Sequence, residues 1–538
     1  MTTRDRILSP YTRRVDDVQH RLTKLFGVSA LILLAVVLGY FIGVFGMYGW
    51  FIPAIPVAIM ALIALWIAPD VNTNLDRLMV KLFFVFMALA LIWPRYLALN
   101  APGLPWISFQ RIAMFVLAAI SLYSLATSSR LRREFLDILG SQKILARLFL
   151  IWVGWQGFMM AVGKFESASR WTNQLFLWYF LFLITAWVMS KPDMPQKLMK
   201  LILVAGAITS AVVIPEHMNS KPIWADHIPA FLSIDPAILE TIQFGNARLN
   251  EYRARSIFTN SLIYAEYVGM LIPFCLLAIF WAKTQWRRLA ATALLVLMIT
   301  AGVLTQSRTA MVALVATFPA FIGLWTWRRY RLTKGDRDLI APAMLSLYPA
   351  AAITLFTAIL VLPRLRVKVL GGGAHQASNN AREVQWDMAI PAIIKNPIGY
   401  GMGSIDSIIP YRNLAGKFTV DSYPINLLVE FGIPGFLMFV GIFALSIAIG
   451  VKIYLNAGTR DEEVAGAAAV GIMAFLLARL VLSTEGGQSL AFCFAGLILG
   501  IYYRQKLRVM GEQKREGQSS PPTQAHPQGA IPALMRSA

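Results

Sequence analysis

Residues 261–304 read SLIYAEYVGMLIPFCLLAIFW, then AKTQWRR, then LAATALLVLMITAGVL. Each apolar run is about as long as the roughly 20 residues a helix needs to cross the hydrocarbon core of a bilayer. Lys283, Arg287 and Arg288 stand between them. Span, short basic turn, span is the pattern of a helical hairpin in a membrane. Outward from this hairpin the pattern repeats, with apolar runs near 27–47, 50–68, 80–98, 112–127, 147–163, 172–190 and 201–215 on one side. On the other side they fall near 309–327, 340–363, 425–451, 464–482 and 489–503. The predicted fold is all-α, a polytopic integral membrane helical bundle of about 12–14 transmembrane helices.

Composition agrees. Of 538 residues 57% are apolar and 14% are charged, where a soluble domain carries about 25% charged residues. Mean hydropathy is +0.60. An ordinary soluble enzyme, a disordered chain and a collagen-like chain are excluded. The net charge of +21, from 49 Lys and Arg against 28 Asp and Glu, does not point to nucleic acid, because cytoplasmic loops of membrane proteins carry excess Lys and Arg to fix topology. The two cysteines, Cys275 and Cys493, lie in apolar runs and imply no disulfide framework. The five histidines are scattered without ligand spacing. No cofactor is expected.

The charge of the loops orients the chain. Residues 1–26 are basic and precede a long apolar run with no small-residue cleavage site close behind, so a retained first helix is read rather than a signal peptide. With that segment in the cytoplasm, the loops holding Arg130/Arg132/Arg133, Lys283/Arg287/Arg288, Arg328/Arg329/Arg331 and Arg504/Lys506/Arg508 also fall inside. The expected organisation is a basic N-terminal segment (1–26), transmembrane helices (27–215) and a first long periplasmic loop (216–260). Transmembrane helices (261–363), a second long periplasmic loop (364–424), the C-terminal helices (425–503) and a disordered cytoplasmic tail (504–538) follow, the tail rich in Pro, Ser and Gln from Gly511. Both termini are predicted to be cytoplasmic.

Long loops in compact membrane proteins are often functional. In the second, Trp386, Ala389, Ile390, Ile393 and Ile394 follow the spacing of an amphipathic helix, which begins after Gly371–Gly373 and Ser378–Asn380 and stops at Asn396-Pro397. Its apolar face is expected on the bundle rather than on the membrane surface. Asn396-Pro397-Ile398-Gly399-Tyr400-Gly401-Met402-Gly403 then reads as a tight turn.

Outward charges are not explained by topology. Arg308, in Thr305-Gln306-Ser307-Arg308, sits where one span leaves the membrane and the next re-enters. It either snorkels to the interface or binds an anion. Arg253 and Arg255 precede the span at 261, and Arg382 opens the amphipathic helix, with Arg364, Arg366 and Lys368 before it. Guanidinium groups bind phosphate oxygens bidentately, so a phosphate-rich ligand is the chemistry these cations suit. Asp421 is expected at the outer mouth of the next span and Glu430 over two turns deeper, where an intramembrane carboxylate is either a functional group or half of a structural ion pair. Arg479 is its candidate partner, and Glu266 a candidate for the same interior network. The outward carboxylates Glu216, Asp226 and Asp235 lack metal-ligand spacing.

Taken in order, these segments resemble the O-antigen ligase and polymerase superfamily of bacterial polysaccharide assembly, over residues from about 250 to 490. The order is Arg253–Asn260 before a span, Ser307-Arg308 between spans, a long loop with Arg382, Trp386 and Asn396-Pro397-x-Gly-x-Gly, and a helix carrying Glu430-x-Gly432-x-x-Gly435. The resemblance implies transfer of glycans carried on undecaprenyl pyrophosphate at the periplasmic membrane face, by a metal-independent glycosyltransferase. In the ligases a His-Asn pair typically opens the helix with the Glu-x-Gly motif, and here those positions hold Asp421 and Ser422. That departure favours a polymerase of exopolysaccharide or O-antigen repeats over a ligase to lipid A core. The roles implied are Asp421, Arg308 and Arg382 as catalytic residues, and Arg253, Arg255, Glu430 and Arg479 as binding residues for pyrophosphate or glycan. Implied partners are the lipid-linked glycan, membrane lipid, and chain-length regulator and flippase proteins. The competing readings are a lipid-linked oligosaccharide flippase or transporter, against which stands the absence of an internal repeat, and an assembly subunit without catalysis.

Overall fold

A computed structural model describes residues 75–99, 107–164, 167–234, 239, 247–248, 251–333, 339–363, 366, 376–412, 416 and 418–519. The basic segment 1–26, the runs near 27–47 and 50–68, Arg364, Lys368 and Gly371–Gly373 lie outside the described residues.

All twelve apolar runs expected from residue 80 onward are helices. They begin with α1 (Asp76–Ile92), the short strand β1 (Leu97–Leu99), α2 (Phe109–Thr127), an amphipathic α3 (Ser129–Ser141) and α4 (Lys143–Val162). Next come α5 (Ser167–Met189), with a π-helical turn at Leu175–Phe180, and α6 (Met194–Asn219). β2 (Leu232–Ile234) pairs antiparallel with β1, and the two-residue strands β3 (Ala247–Arg248) and β4 (Glu251–Tyr252) pair with each other. The hairpin at 261–304 is α7 (Ser261–Trp281) and α8 (Gln285–Leu304), with Asn260 and Thr284 as side-chain N-caps. Then follow α9 (Arg308–Leu332), α10 (Ile340–Val361), α11 (Gln376–Lys395), the single turn α12 (Ile405–Ile408), α13 (Tyr423–Glu430), α14 (Gly432–Leu455), α15 (Arg460–Arg479) and α16 (Gln488–Ser519). Eight of the described helices are long and apolar enough to cross a membrane. The protein is a multi-pass helical membrane protein.

α7 and α15 form the centre. α7 packs on α8, α9 and α15, and α15 packs in turn on α14 and α16. α15 reaches its neighbours closely because its buried face is built of Ala465, Gly466, Ala467, Ala468, Ala469 and Gly471. Small residues let helix backbones approach where lipid supplies no hydrophobic drive. On the periphery the apolar side chains point outward, as Phe115, Leu150, Ile151, Val296, Leu347 and Phe356 do; in a bilayer these meet lipid rather than water.

Three boundaries differ from expectation. The amphipathic helix α11 starts at Gln376, so Ser378–Asn380 lie inside it and Arg382 stands in its second turn rather than opening it. The last helix continues to Ser519, well past the tail expected from 504, because Arg508 pairs with Glu462 at 3.0 Å and Arg504 with Asp461 at the start of α15. Residues 520–538 lie outside the described residues. The third difference is a break in the span expected from 425: α13 ends at Glu430 and α14 restarts at Gly432, whose φ is +69°. Glu430 therefore sits at a helix break rather than inside a continuous span.

Candidate functional site

The break at Gly432 is made by the glycine-rich turn after α11. Tyr400 and Gly401 donate their backbone N–H groups to the carbonyls of Val429 and Glu430 at 2.8 and 3.1 Å, and Ile433 donates to Pro397 at 2.8 Å. The same turn reaches α4, since Met402 donates to the Met159 carbonyl and accepts from Lys164. Gly399 and Gly432, both at positive φ, are packed backbone to backbone, and a Cβ on either would overlap the other's turn. The motif is thus a clasp between two loops. Beside it, a hydrogen bond from Lys164 at 2.6 Å holds the Asp406 carboxyl below its usual range.

The clasp delivers Glu430 to a partner that the sequence reading did not name. Its carboxylate is fully buried; it accepts from the Gly403 N–H at 3.0 Å and pairs with Arg170 at 2.8 Å. Arg170, on the first turn of α5, also holds Glu485 at 2.8 Å, and Glu485 accepts from Gln174. Arg479 is not the partner of Glu430. Its guanidinium pairs instead with Glu266 of α7, with Nε 2.8 Å from Oε1, and donates to the Thr484 carbonyl at 2.6 Å. Two interior ion pairs therefore flank the loop between α15 and α16. A signal for Arg170 is present in the sequence: it stands between the apolar runs at 147–163 and 172–190, on the face expected to be outward, where topology explains it no better than Arg253.

That loop also reaches Val420, the residue before Asp421. Ser483 donates to the Val420 carbonyl, and the Asp421 N–H donates to Gln385 Oε1 at 2.9 Å. Gln385 is buried on α11, one turn beyond Arg382, which is half-buried. Asp421 itself is half-buried, and its Oδ1 accepts from the Thr419 hydroxyl at 3.1 Å. So α11 is docked on α13 by Trp386, Ala389 and Ile393 against Ile409, Val420, Ile425 and Val429. Ile390 and Ile394, expected on the same apolar face, are exposed. A helix stripe this wide serves two surfaces, the protein and its surroundings.

The remaining candidates form a second group. Tyr252, Arg255 and Ser256 converge on Glu216, which accepts from the Tyr252 hydroxyl at 2.8 Å and from the backbone N–H of Arg255 and Ser256 at 3.0 and 2.7 Å. Glu216 is thus the buried end of α6 rather than part of a loop. Arg255 is fully buried beside it. Arg253 Nε donates to the Thr305 carbonyl at 3.2 Å, and Ala254 N–H to that of Leu304. This strap lies on the turn Thr305–Ser307 that starts α9 at Arg308. A small pocket of about 20 Å³ is lined by Phe258, Tyr267, Arg95, Gly486 and Gly487 but by none of Arg253, Arg308, Arg382 and Asp421, and there Arg95 donates to the Gly486 carbonyl at 3.2 Å. Arg253 and the Arg308 turn are therefore neighbours, and so are Asp421 and the Arg382 helix. Arg255, Glu430 and Arg479 are engaged within the fold.

Residues 293–440 match the family model described as O-antigen ligase. The match runs from α8 into α14 and takes in Arg308, Arg382, the glycine clasp, Asp421 and Glu430. It bears out the resemblance to the O-antigen ligase and polymerase superfamily, a class of multi-pass membrane proteins of polysaccharide biosynthesis. No curated protein matches the chain.

Proposed function

We propose that this protein polymerises undecaprenyl-pyrophosphate-linked oligosaccharide repeats into exopolysaccharide or O-antigen at the periplasmic face of the bacterial inner membrane, with both termini in the cytoplasm. The family match supports ligase- or polymerase-type glycan transfer. The observation that carries the finer reading is the seat of Asp421, fixed by Gln385 one turn from Arg382, where the ligase pattern has histidine and asparagine.

In this reading an acceptor sugar hydroxyl attacks the anomeric carbon of the donor. The bond from that carbon to pyrophosphate breaks, and its electron pair leaves with the pyrophosphate. Asp421 takes the hydroxyl proton as general base. Arg308, Arg382 and Arg253 meet the negative charge that grows on the pyrophosphate, which stabilises the transition state more than the bound substrate. Arg170, Glu430, Glu266 and Arg479 hold the frame. The charge-stabilising groups are side chains of this chain rather than a metal ion. Transfer of finished glycan to lipid A core is the second reading, and flipping of the lipid-linked repeat the third. A chain-length regulator and a flippase are the expected protein partners.

Deleting the protein and resolving surface and carrier-linked glycans on gels tests the proposal. Loss of long chains with single repeats remaining is the expected result. Full-length chains stranded on the carrier would indicate a ligase, and repeats accumulating on the cytoplasmic leaflet would indicate a flippase.

A further inference from the structure

At the other end of the bundle, where α7 and α9 finish and α15 begins, a cleft of about 370 Å³ opens between Trp281, Lys283, Trp325, Arg328, Arg460 and Glu463. Its lining carries three cations against one carboxylate. That carboxylate is occupied on both oxygens: Arg328 pairs with Oε1 at 3.0 Å, and the Trp281 indole donates to Oε2. The neighbouring acids of α15, Asp461 and Glu462, turn away to Arg504 and Arg508. So the positive charge of Arg460 and Lys283 is left facing the cleft.

The aromatic groups shape the cations. Arg460 stacks over Trp281 at 5.4 Å and Arg328 over Tyr454 at 5.0 Å, while Trp325 lies parallel to Phe280 at 4.4 Å. On α8 and α9, next in sequence to the lining residues Lys283, Trp325 and Arg328, Trp286, Trp327 and Tyr330 are exposed, as are Arg287, Arg288 and Arg331. Exposed Trp and Tyr among Lys and Arg mark the headgroup level of a bilayer. Basic pockets between transmembrane helices at that level hold acidic headgroups.

We propose that this cleft binds the phosphate of an anionic membrane lipid, with the headgroup between Arg460 and Lys283. The proposal is independent of the chemistry at the opposite end.

Purified full-length protein in neutral detergent, titrated with phosphatidylglycerol and separately with phosphatidylcholine, tests it by native mass spectrometry. Selective retention of phosphatidylglycerol is expected. Lys283→Gln and Arg460→Gln, both exposed positions, should each weaken it about tenfold, the worth of one charge-assisted hydrogen bond. Arg288→Gln, on the same face but outside the cleft, should change it less than about twofold, because a neutral micelle has no surface potential to lose. Equal retention of both lipids, or equal effects of all three substitutions, would overturn the proposal. So would displacement of phosphatidylglycerol by an equal concentration of inorganic phosphate, which would make this a site for the free ion.

Discussion

Arg170 and Glu430, 260 residues apart in sequence, meet at 2.8 Å and tie the start of α5 to the break between α13 and α14. Glu430 is fully buried, whereas Arg170 is partly exposed and shared with Glu485. Removing one partner of such a pair leaves a charge without compensation, which costs more than the pair contributes. Arg170→Ala should therefore destabilise the protein by about 3 kcal/mol, and Arg170→Ala with Glu430→Gln by distinctly less. Thermal unfolding of the solubilised protein across the double-mutant cycle reads the coupling. Additive losses would show that the two charges do not interact.

A backbone prediction concerns the clasp. Gly432 has φ +69°, and an added Cβ would strike the Ile398 carbonyl. Gly416 has φ +71° with nothing within 4 Å of the same added atom. Gly416→Ala should cost about 1 kcal/mol from backbone strain alone. Gly432→Ala should cost more than about 2 kcal/mol, since the clasp must also open. Matching melting temperatures for the two variants would contradict the close packing of the turns.

The spans were legible because twenty apolar residues in a row have one cheap solution in a bilayer, the helix. The amphipathic helix was legible for a similar reason, periodicity. What sequence could not give is which charges meet. Arg479 and Arg170 both lie within reach of a carboxylate, yet Glu430 takes Arg170 because the clasp turns α13 toward α5, a long-range packing outcome with no local signal. The glycine motif read as an ordinary turn because its partner, the Glu430–Gly432 break, lies about thirty residues away. Residues 504–519 look like tail in sequence because their composition is polar; the helix continues through them, with Arg504 and Arg508 paired to two acids at the start of α15.

Topology gives a third test. The loop ending α9 at Leu332 is basic, with Arg328, Arg329 and Arg331, whereas the clasp at Tyr400 lies beyond α10. Reporter fusions at residue 333 should read cytoplasmic and fusions at residue 400 periplasmic. The reverse pattern would move the candidate site to the wrong side of the membrane for a periplasmic transferase.

The last test separates catalysis from anchoring at Arg308. Its backbone opens α9, next to the Thr305 carbonyl that Arg253 holds at 3.2 Å. Lysine in its place keeps a cation that can reach the interface as well as arginine does, but loses the planar fork that grips two phosphate oxygens at once. If Arg308 holds pyrophosphate, Arg308→Lys should lower polymer formation about 10²–10³-fold, the usual loss for one well-placed electrostatic donor, with protein level and insertion unchanged. Asp421→Asn keeps size and removes the proton acceptor. Its backbone N–H can still donate to Gln385, so the loop stays seated and lost polymer would report chemistry rather than folding. Wild-type polymer length and rate in both variants would falsify the assignment of Arg308 and Asp421 to the reaction.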